Sequence, residues 1–594
     1  MKGFLKSIFA TFIGIILFCS VFAVFGFISI VGMIASGNST PSISDNSVLV
    51  MNLQGEITDK SQENLLGQLT GNTVNTLNVS DITKAIKNAK NDEKIKGIYL
   101  QGGYTTAQPA LCQEIRDALT DFRKSGKWII SYADQYSQAS YYLCSTADKT
   151  YLNPSGMLDW HGLASQPQFT KDLYAKFGVR FVVAKVGKFK SYTEEYTEDK
   201  MSDANKEQVN RFLGNIWQHM LTDVSTSRKI NKDSLNHYAD RINMFEDPQL
   251  YVKNKMIDGF CYEDEIKNIV KKKLGIEEDD DISQVSVDDV NMAHQDDDSG
   301  EEIAVYYCQG SIVQNAPQEV FSQGEDCIVA PTVCKDLEDL ADDDDVKAIV
   351  LRINSGGGDA YASEQLWHTI AVINKKKPVV VSMAGMAASG AYYMSMGARK
   401  IIAEPTTLTG SIGIFGLIPD VSGLLTQKLG IKFDEVKTNR NSTFQGVPLA
   451  RPFNSEEMAS LQGYINRGYS LFRKRVADGR KMSVADVEKI AQGRVWTGED
   501  ALKVHLIDQL GNLNTAVKEA AKYAKLSEYK TTDYPAEASL FDQLINSTTN
   551  KGNYLDEQLR FVLGDAYEPF IQLRTINNRE VLQAVCPYSL QIKN

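Results

Sequence analysis

The chain opens on a run from Ile8 to Ile34 in which 27 successive positions carry no charge. As a helix rising ~1.5 Å per residue it is about 40 Å long, whereas a bilayer core is about 30 Å thick. A cleaved secretion signal has a shorter apolar core, roughly 7–15 residues. Lys2 and Lys6 precede the run, and Asp45 is the first charge after it. The positive-inside rule then predicts a cytoplasmic stretch at 1–7, a transmembrane anchor at 8–34 and an exported body. No later stretch reaches 18 apolar residues. Beyond the anchor the pattern changes to short β-branched runs, such as Ala348-Ile349-Val350-Leu351 and Val379-Val380-Val381. Between these two lies a segment, Ala362 to Asn374, with Leu366, Ile370 and Ile373 at helical spacing. Buried strands alternating with amphipathic helices predict an α/β fold built from parallel crossover units. A helix-rich portion is expected from Ser455 to Gln492.

The pattern also occurs twice. Val48–Gly55 resembles Ile303–Gly310, and Ile95–Leu100 resembles Val346–Leu351. Tyr141-Tyr142-Leu143 returns as Tyr392-Tyr393-Met394, and Met256-Ile257-Asp258 as Leu506-Ile507-Asp508. The four offsets fall between 250 and 255 residues. That period is a tandem domain, since solenoid repeats run only about 20–50 residues. The predicted repeats are 46–276 and 303–535, followed by a C-terminal extension at 536–594. Between the repeats, residues 277–302 hold Asp279-Asp280-Asp281 and Asp296-Asp297-Asp298, which predicts a solvated acidic linker.

Composition narrows the function. A net charge of −12 argues against a nucleic-acid partner. Eight cysteines without a CxxC pair exclude a disulfide framework, and six scattered histidines offer no common zinc spacing, so no metal is expected.

Three segments of the second repeat carry candidate chemistry. Asn354-Ser355-Gly356-Gly357-Gly358 follows a strand, and its glycines allow close backbone approach to a ligand. In Met386-Ala387-Ala388-Ser389-Gly390, small residues surround Ser389, and a helix starting there would aim its amides at a developing negative charge. Leu408-Thr409-Gly410-Ser411-Ile412-Gly413 reads as a turn after Pro405. The repeat serves as a control. Gln138 stands opposite Ser389, and Thr105-Thr106-Ala107 stands opposite the glycines, so the fold itself demands neither feature. A serine nucleophile needs a base. His368 and His505 lack an evident orienting aspartate, and His368 reads as a packing or surface residue. A desolvated lysine can serve instead. The first repeat offers Lys190 in Gly187-Lys188-Phe189-Lys190-Ser191, opposite Ser442 in the second. Lys188 is the rival, because a strand would point both lysines to one face.

Taken together, Asn354–Gly358, Ala387–Gly390, Leu408–Gly413 with Phe415-Gly416, and Gly187–Ser191 resemble the signal peptide peptidase A family in its long, two-repeat form. The resemblance covers nearly the whole chain. It implies two crotonase/Clp-protease-like domains behind a transmembrane helix. It also implies a serine endopeptidase of the inner membrane, with its body on the periplasmic side, that degrades signal-peptide remnants and other apolar peptides. Carried over by position, Ser389 is the nucleophile and Lys190 the base from the other repeat. The backbone amides of Gly357 or Gly358 and of Gly390 form the oxyanion hole, and Ser411 orients the lysine. The family usually has proline where this chain has Gly356, which predicts a less rigid loop. No cofactor is implied, and a homotetramer is. Two other classes remain open at this level: an acyl-CoA hydratase or thioesterase of the same superfold, and a membrane-tethered scaffold without catalysis.

Overall fold

The computed structural model describes residues 41–60, 76–294, 300–315, 327–536, 583–586 and 588, with Gly14 and Phe18. The expected anchor at 8–34 otherwise lies outside the described residues. Among the described residues, no helix is long and apolar enough to cross a membrane.

The first repeat contains β1 (Ser47–Asn52), β2 (Gly55–Thr58), β3 (Thr76–Asn78), α1 (Val79–Asn91), β4 (Ile95–Gln101), β5 (Thr105–Ala107), α2 (Pro109–Arg123) and β6 (Trp128–Tyr136). It continues with α3 (Gln138–Cys144), β7 (Lys149–Leu158), β8 (Arg180–Val186), α4 (Asp203–Arg228), β9 (Gly259–Phe260), β10 (Gln284–Val285) and α5 (Val287–Ala293). Its main sheet runs β10-β1-β4-β6-β7-β9, all parallel, and a small sheet runs β3-β2-β5.

The second repeat has β11 (Glu301–Gln309), β12 (Ser311–Val313), β13 (Cys327–Val329), α6 (Ala330–Asp342), β14 (Val346–Ser355), β15 (Gly357–Asp359), α7 (Ala360–Lys376) and β16 (Val379–Ala388). After these come α8 (Gly390–Ser395), β17 (Lys400–Ala403), β18 (Leu408–Gly410), β19 (Ile414–Asp420), α9 (Ser455–Arg480), β20 (Val495–Thr497), β21 (Gln509–Leu510), β22 (Tyr529–Tyr534) and β23 (Gln583–Val585). Here β22-β11-β14-β16-β17-β21 repeats the strand order of the first sheet.

The repetition seen in the sequence is therefore one of topology, and the repeated residues do the same work twice. Tyr141 donates from its hydroxyl to Met256 O at 2.8 Å, and Tyr392 donates to Leu506 O at 2.7 Å. Asp258 accepts from Thr150 N and pairs with Arg228, just as Asp508 accepts from Ile401 N and pairs with Arg480. Parallel strands covered on both faces need continuous apolar sequence, and all ten residues of β16 are buried. On α7, Asp359 caps the N-terminus by accepting from Ala362 N at 2.6 Å, and Leu366, Ile370 and Ile373 face the core.

The acidic linker needs a correction. Part of 277–302 belongs to the first repeat. Gln284 and Val285 pair with Val48 and Leu49 as an edge strand, and Val290 on α5 is buried. Flanking aspartates hide the irregularly spaced apolar residues Ile282, Val285, Val287 and Val290 that this edge packs on the core.

Among the contacts that join the repeats are a strand pair and a buried ion cluster. Along its whole length β8 pairs antiparallel with β19, from Arg180↔Asp420 to Val186↔Ile414. Arg352 of β14, 1% exposed, donates to Asp59 at 2.6 and 2.9 Å and to Glu114 at 2.7 Å, both on the first repeat. Arg352→Met should leave two buried carboxylates without a cation and cost about 3–5 kcal/mol. A urea titration should show an earlier midpoint; an unchanged midpoint would mean that the carboxylates take up protons without penalty.

Candidate active site

At the end of β16 the chain turns sharply into α8. Ser389 sits at the corner with φ 56° and ψ −114°, a backbone that bulky residues avoid. Its N–H donates to Gly410 O at 2.8 Å, and its carbonyl accepts from Tyr393 N at 2.8 Å. Its hydroxyl makes no helix-capping bond and is left for a partner outside the helix. The corner needs its small neighbours: a Cβ added to Gly390 would lie 2.5 Å from Ser363 Oγ.

Lys190 reaches this corner from the other repeat. After β8, Gly187 takes φ 105° and the chain makes a tight turn, with Lys190 N donating to Gly187 O at 3.2 Å. Phe189 N donates to Gln492 O at 2.9 Å, which pins the turn to the second repeat. Gly493 makes the fit possible, since a Cβ there would lie 2.6 Å from Lys190 N. Residues 187–190 are thus not strand, and the two lysines do not share a face. Lys188 is exposed, with its amine 4.8 Å from the centre of the Phe189 ring. Lys190 is fully buried.

The Lys190 amine has three partners: Ser389 Oγ at 2.7 Å, Ser411 Oγ at 3.0 Å and Ser411 O at 3.2 Å. All three residues have 0% exposure. Burial pushes the amine down to about 7, while the nearby Cys586 thiol opposes that shift weakly. A neutral amine has two N–H donors and one lone pair. The two Ser411 oxygens can take the donors, which leaves the lone pair for the Ser389 hydroxyl. Removing the Ser411 hydroxyl by Ser411→Ala should lower kcat roughly tenfold with little change in KM, and should move the acid limb of the pH profile. An unchanged profile would reduce Ser411 to packing.

Gly357 takes φ +96°; an added Cβ would lie 2.5 Å from Gly390 N, so the two glycines named by sequence adjoin. Gly357 N donates to Ser355 Oγ at 3.1 Å. Gly358 lies in β15 beside Ile312 of β12. The expected looseness at Gly356 is offset, because the residues just after it are built into this sheet. In the first repeat, Gln138 replaces Ser389 with a structural role: its amide accepts from His161 N and Gly162 N and donates to Gly162 O. His368 and His505 are exposed, and Ser442 lies in an exposed stretch. Sequence reasoning missed Gly493 and Ser363, each a supporting residue with no pattern of its own, and gave Ser355, inside the glycine segment, no role as acceptor for Gly357 N. It also missed Cys586, whose thiol contacts the Ser411 side chain.

Comparison with known proteins gives a consistent answer. The family model Peptidase family S49 matches residues 121–277 and again 371–527, and the Clp protease model matches 314–407. Protease 4 of Salmonella typhi is 36% identical, covering 84% of this chain and 82% of the relative. Protease 4 of Haemophilus influenzae is 33% identical, covering 83% and 82%. A chloroplastic serine protease SPPA of Arabidopsis thaliana is 30% identical, covering 82% and 70%. Two tandem Clp-like α/β repeats of this lineage make the molecule a serine protease. The chain belongs to peptidase family S49, in the long two-repeat form of signal peptide peptidase A.

Proposed function

We propose that the protein is a membrane-anchored Ser–Lys endopeptidase that cuts apolar peptides, signal-peptide remnants among them. The observation that carries the reading is the buried Lys190 amine 2.7 Å from Ser389 Oγ, each supplied by a different repeat. Neutral Lys190 takes the Ser389 proton as Oγ attacks a peptide carbonyl. The oxyanion is held by the amides of Gly390 and Gly357, the latter shared with Ser355 Oγ, with Gly358 as the adjoining donor. Lys190 then gives its proton to the leaving amine, and water deacylates Ser389 by the same route. The mechanism calls for neither metal nor organic cofactor. An acyl-CoA reading has no use for a lysine buried against a serine, so the peptidase reading is preferred. The run at 8–34 is the anchor in this reading. The body lies on the periplasmic side of the inner membrane and assembles as a homotetramer.

The test compares three substrates: a leucine-rich peptide, a polar peptide of equal length and a folded protein. The leucine-rich peptide should be cleaved fastest and the folded protein not at all. Equal cleavage of all three would reject the apolar-peptide reading.

A further inference from the structure

The Lys190 turn and the Ser389 corner belong to different repeats, and a buried glutamine on α4 joins the two backbones that carry them. Gln208, 1% exposed, lies in the second turn of that helix. Its Nε2 donates to Phe189 O at 2.9 Å and lies 3.3 Å from Ser191 Oγ, so it holds the residues on either side of Lys190. The same nitrogen also donates to the Tyr588 hydroxyl at 2.9 Å. On the other side, Oε1 accepts from Val495 N of the second repeat at 3.2 Å. These partners fix which way the amide faces, because a peptide carbonyl only accepts and a peptide N–H only donates.

Val495 opens β20 and stands opposite Gly410 in the antiparallel pair of β20 with β18. Gly410 O accepts the Ser389 N–H at 2.8 Å, and Arg494 O, one residue before Val495, accepts the Ser411 N–H at 2.8 Å. Gly493 N donates to Ile412 O at 2.8 Å. The stretch from Gly493 to Val495 thus braces the backbone around Ser389 and Ser411, and Gln208 ties that stretch to the backbone of Lys190. Phe189 is gripped at both its peptide groups, the N–H by Gln492 O and the carbonyl by Gln208. The Phe189 carbonyl and the Lys190 N–H share one rigid plane, so fixing the first sets the direction in which Lys190 departs. The repeats again supply a control. Both α4 and α9 have 26 residues, and their caps match at an offset of 252, Ser202 with Asn454 and left-handed Lys229 with left-handed Lys481. At that offset Gln208 falls on exposed Ser460, just as Lys190 falls on Ser442. The helix needs no glutamine there; it occurs in the copy that has the lysine.

We propose that Gln208 is a positioning residue for the reaction, a strut that sets Lys190 against Ser389 across the joint between the repeats. This rests on the reading of Ser389 and Lys190 as the dyad. Gln208 contacts no reacting atom; it acts through the Phe189–Lys190 peptide. Without its amide, the Phe189 carbonyl and the Val495 N–H lose a buried partner. A bare buried carbonyl is costly, so the peptide plane turns toward another donor and carries Lys190 with it. The amine then drifts from Ser389 Oγ and regains water, and a hydrated lysine holds its proton more tightly than a buried one. The Cys586 thiol, which also faces the amine, is untouched by this change.

The experiment compares the full chain with Gln208→Met and Gln208→Asn. Methionine fills the same space without a polar group, and asparagine keeps the amide but is one methylene too short to reach both Phe189 O and Val495 N. Peptide cleavage and acylation of Ser389 by a fluorophosphonate are followed across pH 5–9, below the thermal midpoint of each form. Both variants should lose about ten- to hundredfold in kcat, as displacements near 1 Å do, with KM within about twofold. The acid limb of both profiles should move up by about one pH unit, because the better hydrated amine stays protonated to higher pH. Wild-type kcat or an unmoved acid limb in a folded variant would overturn the proposal. A raised KM at constant kcat would do the same, by placing Gln208 in substrate binding. Failure of both variants to fold, read by circular dichroism, would also overturn it, by making Gln208 a requirement of the fold. A wild-type chain whose Ser389 is not labelled, or is labelled at one rate at every pH, would instead overturn the dyad on which the proposal rests.

Discussion

Ser389→Ala should lower kcat/KM for peptide cleavage by roughly three orders of magnitude or more, with the fold intact. Loss of an activated nucleophile removes the covalent path, and what remains comes from binding and the oxyanion donors. The corner itself should survive. Its shape comes from the Ser389 N–H bond to Gly410 O and from the small residues around it, and the side chain contributes no cap. Alanine at φ 56° costs about what serine does there, so the thermal midpoint should move little. The check is a cleavage assay beside a denaturation curve. Retention of more than about a tenth of the wild-type kcat/KM, about 1.4 kcal/mol in barrier, would reject Ser389 as the nucleophile.

Lys190→Ala should be comparably inactive, and Lys190→Arg as well, because a guanidinium stays protonated and cannot accept the serine proton. Lys188→Ala should remain active, since Lys188 is exposed whereas Lys190 is buried against Ser389. The pH dependence has a definite sign. Burial brings the Lys190 amine down to about 7 from a free value of 10.5. Only the neutral form is a base, so activity should rise about tenfold per pH unit below 7 and level off above it. Peptide cleavage by the wild type and the three variants across pH 5–9 reads all of this. An active Lys190→Ala enzyme, or a wild-type rate that falls as pH rises through 7, would remove Lys190 from the mechanism.

Much of the architecture was written in local pattern. The β-branched runs became buried parallel strands, and the segment around Leu366, Ile370 and Ile373 became α7. Repeats at one offset mark repeated hydrogen bonds, as Tyr141 and Tyr392 show. Ser389 and Lys190 stood out because the opposite repeat has Gln138 and Ser442 in their places. Other features depend on contacts that no local pattern encodes. Lys188 and Lys190 were expected on one face of a strand. Gly187 at φ 105° makes a turn instead, and that turn is braced by Gln492 and Gly493 from some three hundred residues away. Strands of two or three residues, such as β10 at a sheet edge and β23 between β15 and β19, are too short for any periodicity to register. Their pairing partners alone define them.

The pairing of β8 with β19 also bears on how the protein is made. Lys190 of the proposed dyad is synthesised first, and Ser389 follows almost two hundred residues later. The turn holding Lys190 closes only on Gln492 and Gly493, later still in the chain. In the proposed reading, a nascent chain that has only its first repeat is therefore unarmed, because it has no nucleophile to offer. Hydrolytic capacity arrives only when the second repeat docks, and by then the chain is nearly complete. A truncated translation product would be harmless to its neighbours for the same reason.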